Sequence, residues 1–320
     1  MGPEGMPSGP MVMIPRCSNV TRVTSQITLF VNPTAGRGRG ASAARPAADA
    51  LRGAGFSVRT VLGEDAPDAL RRAREAVDAG TGALIAVGGD GLMSLALQAV
   101  AGTGTPLGVV AVGTGNDFAR SLGLPVKDPA RAGRLAAEAL TAGTVRTIDL
   151  GRVGTKWFGT ILASGFDSRV NDRGNRMRLP GGRFRYDLAM LAELAALRPV
   201  PYRIALDDGP VREIEATLVA VGNGPLYGGG MRMCAGAVMD DGLLDVTVVA
   251  GCDRRTLLRV FPQVYRGTHL DHPKVTVHRA RSVTLRAPGI TGYADGEPVG
   301  ALPLTARCVP GAVGVLAATR

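Results

Sequence analysis

Short apolar runs alternate with helical segments over the first half of the chain. The apolar runs are 27–31, 56–62, 83–87 and 107–112, and the segments with helical spacing of apolar residues are 41–52, 67–79 and 92–100. The run 83–87 is apolar at every position, which is typical of a strand covered on both faces. Strands that alternate with helices of about a dozen residues predict a parallel, doubly wound α/β sheet.

The pattern changes after about residue 147. Apolar and polar residues alternate in the short stretches 203–206, 215–221, 244–249, 274–277 and 282–285. A period of two is typical of antiparallel strands with one buried face. We therefore expect a second, β-rich domain, interrupted by one helical insert at 186–197.

A chain of 320 residues is long for a single core, and the change of pattern divides it into three parts. Residues 1–25 begin with a Gly/Pro/Met-rich stretch and are predicted to form a disordered tail. Residues 26–148 form the α/β domain and 149–320 the β-rich domain. The sequence does not decide whether the extreme C-terminus packs back on the first domain.

Composition narrows the class of protein. Apolar residues make up 45% and charged residues 20% of the chain, as in soluble globular proteins. No run approaches the roughly 18 to 20 apolar residues of a membrane span. The N-terminus lacks the basic-then-apolar pattern of a secretory signal, so we expect a cytoplasmic protein. The cysteines (Cys17, Cys234, Cys252 and Cys308) lack paired spacing, which argues against a structural zinc site.

The formal charge is +10, from 37 basic and 27 acidic residues. This balance favours an anionic partner such as a nucleotide, a phospholipid surface or nucleic acid, although a compositional bias of the genome would explain it equally well. Aromatic residues are only 4% of the chain and no basic-aromatic stacking motif occurs. We therefore expect no nucleic-acid partner.

Three loops follow apolar strands of the first domain, at 32–40, 88–91 and 113–117. Ligands of open α/β sheets bind at the carboxyl ends of the strands, where glycines let backbone amides approach phosphate oxygens. One glycine-rich turn alone would be weak evidence, but three at successive strand ends predict phosphate binding. Lysine occurs only at 127, 156 and 274, which excludes a P-loop, and Gly36, Gly38 and Gly40 lack the dinucleotide spacing.

These loops carry a family resemblance. In the first half the motifs are Val31-Asn32-Pro33-Thr34-Ala35-Gly36, Gly88-Gly89-Asp90-Gly91 and Gly113-Thr114-Gly115-Asn116-Asp117-Phe118-Ala119-Arg120. In the second half they are Asn223-Gly224, Gly228-Gly229-Gly230, Asp241-Gly242-Leu243-Leu244-Asp245-Val246, Gly267-Thr268-His269 and Asp295-Gly296-Glu297. The ordered set resembles the diacylglycerol kinase catalytic family, which includes bacterial lipid kinases and sphingosine-type kinases.

The resemblance implies a doubly wound α/β domain of the NAD kinase and diacylglycerol kinase type, followed by a C-terminal β-sandwich, with ATP in the cleft between them. It implies that the nucleotide is lined by Asn32, Pro33, Thr34, Ala35, Gly36, Thr60, Gly88, Gly89, Asp90, Gly91, Leu92, Ser94, Thr114, Gly115, Asn116 and Asp117. Asp90 would hold the catalytic Mg²⁺, directly or through water, in a network with Asp117 and Asp149, and Glu297 would be the general base.

A second, structural magnesium is implied at the Asp241 carboxylate with the carbonyls of Val238 and Leu243. Taken alone, 241–245 could equally be an acidic turn, and Asp295-Gly296-Glu297 a type I turn between strands.

The leading hypothesis is an ATP- and Mg²⁺-dependent lipid kinase acting on the hydroxyl of diacylglycerol, a sphingoid base or a related lipid alcohol, with 149–320 as the lipid-substrate domain. The family usually has Thr after Gly-Gly-Asp-Gly, followed by an Asn-Glu pair, where this chain has Leu92, Ser94 and Leu95. This departure leaves a catalytically weakened regulator that binds lipid or nucleotide as one alternative. A kinase of a soluble hydroxyl such as NAD is another, because NAD kinases share the Gly-Gly-Asp-Gly loop.

A basic stretch precedes the apolar helix predicted at 186–197. Its arginines are Arg169, Arg173, Arg176, Arg178, Arg183 and Arg185. A basic segment beside an apolar helix suits peripheral docking on an anionic membrane surface, here the inner face of the membrane, although a solvated loop before a core helix fits equally well. The sequence leaves a monomer and a homodimer open.

Overall fold

The computed structural model of the protein describes residues 26–32, 40–176, 192–194 and 196–317. The predicted tail 1–25, Pro33 to Gly36 and most of the predicted helix 186–197 lie outside these residues. Within the described part, no helix is both long and apolar enough to cross a membrane.

The first half contains four strands and five helices among its described residues. The strands are β1 (Gln26–Val31), β2 (Ser57–Leu62), β3 (Leu84–Gly88) and β4 (Leu107–Ala111). The helices are α1 (Gly40–Gly53), α2 (Ala66–Asp78), α3 (Asp90–Val100), α4 (Asp117–Ser121) and α5 (Pro129–Ala142). Each predicted strand and helix of this half is present, with bounds that differ by at most two residues.

The strands pair in parallel in the order β2-β1-β3-β4. Successive side chains of a strand point to opposite faces. Ile27 and Leu29 accordingly pack with residues of α1 and α5, whereas Phe30 packs with residues of α2 and α3. Helices cover both faces, so the predicted doubly wound sheet is confirmed.

Local polar contacts fix where two of these helices begin. The Asp65 carboxylate accepts a hydrogen bond of 2.8 Å from the Asp68 amide at the start of α2, and Asp128 accepts one of 3.0 Å from the Arg131 amide at the start of α5. Such side chains satisfy amides that lack a partner within the helix. Both helices also carry proline in their first turn, where no amide is needed.

The second half is mainly antiparallel. Its strands are β5 (Arg146–Val153), β6 (Lys156–Phe158), β7 (Ile161–Gly165), β8 (Val200–Leu206), β9 (Arg212–Gly222), β10 (Leu244–Ala250), β11 (Val275–Ala280), β12 (Ser282–Arg286), β13 (Thr291–Ala294), β14 (Glu297–Ala301) and β15 (Leu304–Val315). Its described helices include α6 (Phe166–Arg176), α7 (Arg254–Val264) and a 3₁₀ turn (Thr268–Asp271).

The strands of the second half enclose a core that includes Phe158, Leu162, Tyr202, Val219 and Leu285. This is the predicted C-terminal β-sandwich. All five stretches predicted from alternation fall on strands, namely β8, β9, β10, β11 and β12.

Strand β15 connects the two halves. It pairs antiparallel with β12 and β5, and its last residue, Val315, pairs in parallel with Leu107 of β4. The next residue, Leu316, donates its amide to the Leu107 carbonyl at 2.9 Å. The C-terminal end of the described chain therefore lies in the sheet of the first half, and the whole sheet is mixed.

Candidate active site

The carboxyl ends of β1, β3 and β4 lie side by side at one edge of the sheet. The Asn32 amide donates to the Val87 carbonyl at 3.2 Å, and the Val112 amide donates to the Gly88 carbonyl at 2.9 Å. The backbones then approach closely: a Cβ atom on Gly113 would lie 2.6 Å from the Cα atom of Gly89. Glycine is needed at this crossing because any side chain would separate the two loops.

Asp90 joins the loops 88–91 and 113–117. Its Oδ2 atom accepts a hydrogen bond of 2.7 Å from the Asn116 amide, and its Oδ1 atom accepts one of 2.8 Å from the Asp117 amide. Asn116 has a φ of 60° and its side chain donates to the Gly113 carbonyl at 2.9 Å. A Cβ atom on Gly115 would lie 2.6 Å from Oδ2 of Asp90. The two loops therefore form one unit around the Asp90 carboxylate.

Asp117 connects this unit to the second domain. Its Oδ2 atom accepts a hydrogen bond of 2.7 Å from the Gly229 amide. Its Oδ1 atom is buried and has no hydrogen-bond partner among the described residues. Burial raises the pKa of Asp117, against the Gly229 hydrogen bond that lowers it, and the nearby Asp90 charge adds to the rise.

The residues at this edge fit a magnesium ion. Magnesium prefers oxygen ligands and is held by one or two carboxylates together with substrate phosphates. Asp90 and Asp117 supply two adjacent carboxylates, and the buried Oδ1 atom of Asp117 lacks a partner that a cation or its water would provide.

Glu297 lies on the hairpin formed by β13 and β14. The two turn residues are Asp295, with a φ of 49°, and Gly296, with a φ of 86°. Positive φ at both central residues is the signature of a type I′ turn, for which Asp-Gly is a preferred sequence. The turn is therefore type I′ and not the type I turn considered from the sequence. Glu297 is exposed at the first position of β14.

The Asp295 carboxylate fixes this hairpin to the segment before β7. Its Oδ2 atom accepts the Gly159 amide at 2.7 Å. Its Oδ1 atom accepts the Thr160 amide at 2.8 Å, the Thr160 hydroxyl at 2.5 Å and the Ile161 amide at 3.3 Å. Burial raises the pKa of Asp295, and the hydrogen bonds from Thr160 and Gly159 oppose that rise.

Gly159 in turn lies against α4, the helix that follows the 113–117 loop. A Cβ atom on Gly159 would lie 2.7 Å from the ring of Phe118, the residue directly after Asp117. The Gly159 carbonyl accepts a hydrogen bond of 3.0 Å from the Asn223 side chain. The hairpin that carries Glu297 is thus connected to the Asp90–Asp117 unit through Gly159.

The Asp149 carboxylate accepts hydrogen bonds from two backbone amides of the second domain. Its Oδ2 atom accepts the Gly242 amide at 2.6 Å and its Oδ1 atom accepts the Gly311 amide at 2.8 Å. Neither Asp90 nor Asp117 is a hydrogen-bond partner of Asp149 in the described structure. Asp149 therefore holds two loops of the second domain together. A connection from Asp149 to Asp90 through water or a metal stays a prediction.

The Asp241 carboxylate forms an ion pair with the Arg279 guanidinium, and its Oδ1 atom accepts the Leu243 amide at 3.0 Å. Arg279 also contacts Oδ1 of Asp245 at 3.1 Å. The resemblance assigns a structural magnesium to the Asp241 carboxylate and the carbonyls of Val238 and Leu243. In the structure the Arg279 guanidinium is paired with that carboxylate instead. Within the described residues, no cluster of three or more His, Cys, Asp or Glu side chains could hold a metal. A metal ion at this site would have to compete with Arg279 for the Asp241 carboxylate.

The remaining nucleotide residues differ in exposure. Thr60 on β2 and Thr114 are exposed, and Ser94 on α3 is half-buried. Leu92 is only 5% exposed and packs in the core, where its side chain lies beside Gly88. The Leu92 side chain therefore faces the core, and only the backbone of Leu92 lies at the 88–91 loop.

Two arginines of the predicted basic stretch are described with their contacts. The Arg173 guanidinium forms an ion pair of 2.5 Å with Glu193, and Arg169 donates to the Arg198 carbonyl at 3.5 Å. Arg178, Arg183 and Arg185 lie outside the described residues, as does the side chain of Arg176.

The sequence did not point to Gly159, Thr160 or the anchoring role of Asp295. Their contacts join segments about 135 residues apart, so no local spacing reveals them. The Asp-Gly dipeptide between two β stretches was the available signal, and it indicates the hairpin but not its anchor.

Comparison with known proteins identifies the family. Residues 26–153 match the diacylglycerol kinase catalytic domain, and residues 160–317 match the YegS C-terminal NAD kinase beta sandwich-like domain. A diacylglycerol kinase of Mycobacterium tuberculosis is 45% identical over 296 residues, which is 91% of this chain and 94% of that protein.

Two solved structures share the fold. A diacylglycerol kinase from Bacillus anthracis gives a TM-score of 0.69 at 23% identity, covering 92% of this chain and 97% of that one. An NAD kinase from Archaeoglobus fulgidus in complex with ATP gives 0.52 at 12% identity, covering 91% of this chain and 92% of that one. At these identities the likeness concerns the fold alone. The relative from M. tuberculosis and the two domain matches show that the chain belongs to the diacylglycerol kinase family of lipid kinases.

Proposed function

We propose that this protein is an ATP- and Mg²⁺-dependent kinase that transfers the γ-phosphoryl group to the hydroxyl of diacylglycerol, a sphingoid base or a related long-chain lipid alcohol. The observation that carries the proposal is the junction of Asp90 with Asp117, where two carboxylates meet beside glycine-rich loops and one buried oxygen lacks a partner. The name of the M. tuberculosis relative supports diacylglycerol as the first acceptor to test.

The loops at the strand ends bind the nucleotide in this proposal. Their glycines leave backbone amides accessible to phosphate oxygens, and α3, which begins at Asp90, adds the positive end of its dipole. Asn32, Pro33, Thr34, Ala35 and Gly36, with Thr60 and Thr114, complete the nucleotide site by resemblance.

Asp90 and Asp117 hold the catalytic metal. Magnesium, when bound, neutralises the phosphate charge that develops during transfer. Because Asp90 is already oriented by the Asn116 and Asp117 amides, its carboxylate needs no rearrangement to meet a cation. The Gly229 contact of Asp117 places the second domain against the same site.

Glu297 acts as the general base. A carboxylate can take the proton of an acceptor hydroxyl when it lies within hydrogen-bonding reach. Glu297 is exposed, and its hairpin is fixed by Asp295, so its position is set by the fold while its side chain is open to an acceptor. The lipid is then expected against the second domain, at a membrane surface.

The test is a transfer assay with the full chain, labelled ATP, Mg²⁺ and a panel of diacylglycerol, a sphingoid base and NAD. We expect label in a lipid, and loss of that product with Asp90→Asn and with Glu297→Gln. Glu138→Gln, an exposed acid on α5, is the matched control and should keep full activity. Label in NAD alone would assign the soluble-hydroxyl reaction. Nucleotide or lipid binding without any product would assign a regulator.

A further inference from the structure

Helix α7 has an unusual composition on its exposed face. The residues Leu257, Val260, Phe261 and Val264 recur with helical spacing and pack into the protein. The opposite face carries Arg255, Leu258, Arg259, Pro262, Tyr265 and Arg266, which continue past the helix end. A face directed to water normally lacks large apolar side chains. Here Leu258 is 58% and Tyr265 50% exposed.

The charge of this face is of one sign. The helix contains no acidic residue, and Asp253 before it serves as the cap, accepting the Thr256 amide at 2.8 Å. Among the described residues, Arg255, Arg259 and Arg266 form no ion pair, although Asp253 lies close enough to Arg255 and Arg259 to feel their charge. In the basic stretch before 186, by contrast, Arg173 is already paired with Glu193.

An anionic bilayer is the partner that both properties fit. Helices that lie in a membrane interface combine arginines, which attract lipid phosphates, with apolar side chains that enter the headgroup region. Leu258 and Tyr265 are seven residues apart, two helical turns, and so lie along one edge of the face with the arginines beside them. A nucleotide or a soluble anion would pair with the arginines and would leave Leu258 and Tyr265 exposed to water.

The helix is also connected to the catalytic hairpin. Leu257 packs against Phe166 and Val170 of α6. On the same helix α6, the Asp172 carboxylate accepts a hydrogen bond of 2.5 Å from the Tyr293 hydroxyl of β13. The α7 face is therefore joined, through α6, to the hairpin that carries Glu297.

We propose that the α7 face, formed by Arg255, Leu258, Arg259, Pro262, Tyr265 and Arg266, docks on an anionic phospholipid bilayer. This extends the proposed lipid kinase function by naming the surface that approaches the membrane. Docking requires neither nucleotide nor turnover, so it can fail or succeed independently of that function.

The experiment is co-sedimentation of the full chain with vesicles of phosphatidylglycerol and phosphatidylcholine, without nucleotide. The variant R255Q/R259Q/R266Q should lose vesicle affinity on the order of 100-fold, because each arginine near an anionic surface contributes about five-fold. L258Q/Y265Q should also bind less, and the binding that remains should be more sensitive to salt, since only screened charge attraction is left. The variant R45Q/R131Q/R134Q, with exposed arginines on α1 and α5, removes equal charge elsewhere and should bind like the wild type.

A second measurement separates docking from a folding defect. Phosphorylation of a water-soluble short-chain diacylglycerol should be unchanged in the α7 variants, while phosphorylation of vesicle diacylglycerol falls. Equal loss of vesicle binding in the α1/α5 control would overturn the proposal, because net charge alone would then explain binding. Unchanged vesicle binding in both α7 variants would also overturn it, and a change from dimer to monomer in those variants would assign the face to a second copy of the chain.

Discussion

The carboxylate of Asp295 accepts a hydrogen bond of 2.7 Å from the amide of Gly159, across 136 positions of sequence. This contact and those to Thr160 and Ile161 fix the turn before Glu297 at a site where β13 pairs with β7. The contacts of Asp295 therefore fix the backbone next to Glu297, which we propose as the base. A positioning role of Asp295 for Glu297 is a prediction that can be tested without changing Glu297.

Asp295→Asn should lower both stability and activity. The amide replaces one acceptor oxygen by a donor, which leaves at least one backbone amide facing it without a partner, at a cost of about 1–3 kcal/mol. Thermal unfolding and kcat on diacylglycerol measure the two effects. Asp207→Asn is the matched control: Asp207 also has positive φ and accepts two backbone amides, from Arg281 and Ser282, but in another hairpin. The control should lose stability and keep kcat; equal kcat in both variants would show that Asp295 is only structural.

The raised pKa of Asp295 gives this variant a pH signature. The folded protein holds the Asp295 proton more tightly than the unfolded chain does. The stability that results is fully present below the unfolded pKa and is lost as the pH rises through the folded pKa. The difference in free energy of unfolding between wild type and Asp295→Asn should therefore shrink from acidic to neutral pH. Denaturant unfolding at several pH values measures it, and a difference that grows with pH would contradict the direction of the shift.

The sequence predicted the elements more completely than the contacts between them. The continuous apolar run 83–87 lies almost wholly in β3, because burial on both faces leaves a local signature. The glycines of 88–91 and 113–117 predicted a phosphate site, and the structure adds why two of them are needed: Gly89 and Gly113 cross at a distance that excludes a Cβ atom. The structure also gives Asp149 two partners that the resemblance did not name, Gly242 and Gly311, because nothing in its local sequence indicates that these loops lie beside it.

Gly159→Ala should damage the connection between the two domains. The new Cβ atom would lie 2.7 Å from the Phe118 ring and 2.8 Å from a methyl group of Leu97, both in the core. Overpacking of this kind costs about 1–3 kcal/mol. Because Phe118 follows Asp117, we also expect a lower kcat. Gly53→Ala is the control, since a Cβ atom there meets nothing within 4 Å. Wild-type stability and kcat in Gly159→Ala would show that the contact is not tight.

Leu92→Thr restores the residue that the family usually has after Gly-Gly-Asp-Gly. Leu92 is buried in the core beside Gly88, so we expect the change to lose about 2–4 kcal/mol of stability by removing apolar contacts. The hydroxyl would face the core, and KM for ATP should not change. Leu95→Thr, the same substitution at a half-buried leucine of the same helix, controls for a β-branched residue in α3. A higher kcat in Leu92→Thr with no loss of stability would mean that position 92 reaches the phosphates.

Arg279→Met tests whether an arginine or a magnesium ion neutralises Asp241. The guanidinium contacts Asp241 and Asp245, and its charge opposes the rise in the pKa of Asp245 that burial causes. Without it two carboxylates face each other, and a cation gains a site. We expect the melting temperature of the wild type, without nucleotide, to be the same in Mg²⁺ and in EDTA. That of Arg279→Met should fall in EDTA and recover by a few degrees in Mg²⁺, as about 1 kcal/mol of binding would produce.

Two further variants make the Arg279 result decisive. Arg203→Met removes an exposed ion pair with Glu213 and should give no response to Mg²⁺, because no second carboxylate is freed there. Adding Asp241→Asn to Arg279→Met should abolish the Mg²⁺ response. The opposite result is a wild type whose melting temperature is lower in EDTA than in Mg²⁺, with no such difference in Asp241→Asn. That result would mean that the metal displaces Arg279 from Asp241. The structural magnesium implied by Val238, Asp241 and Leu243 would then be present alongside the arginine, with Asp245 as the partner that retains the guanidinium.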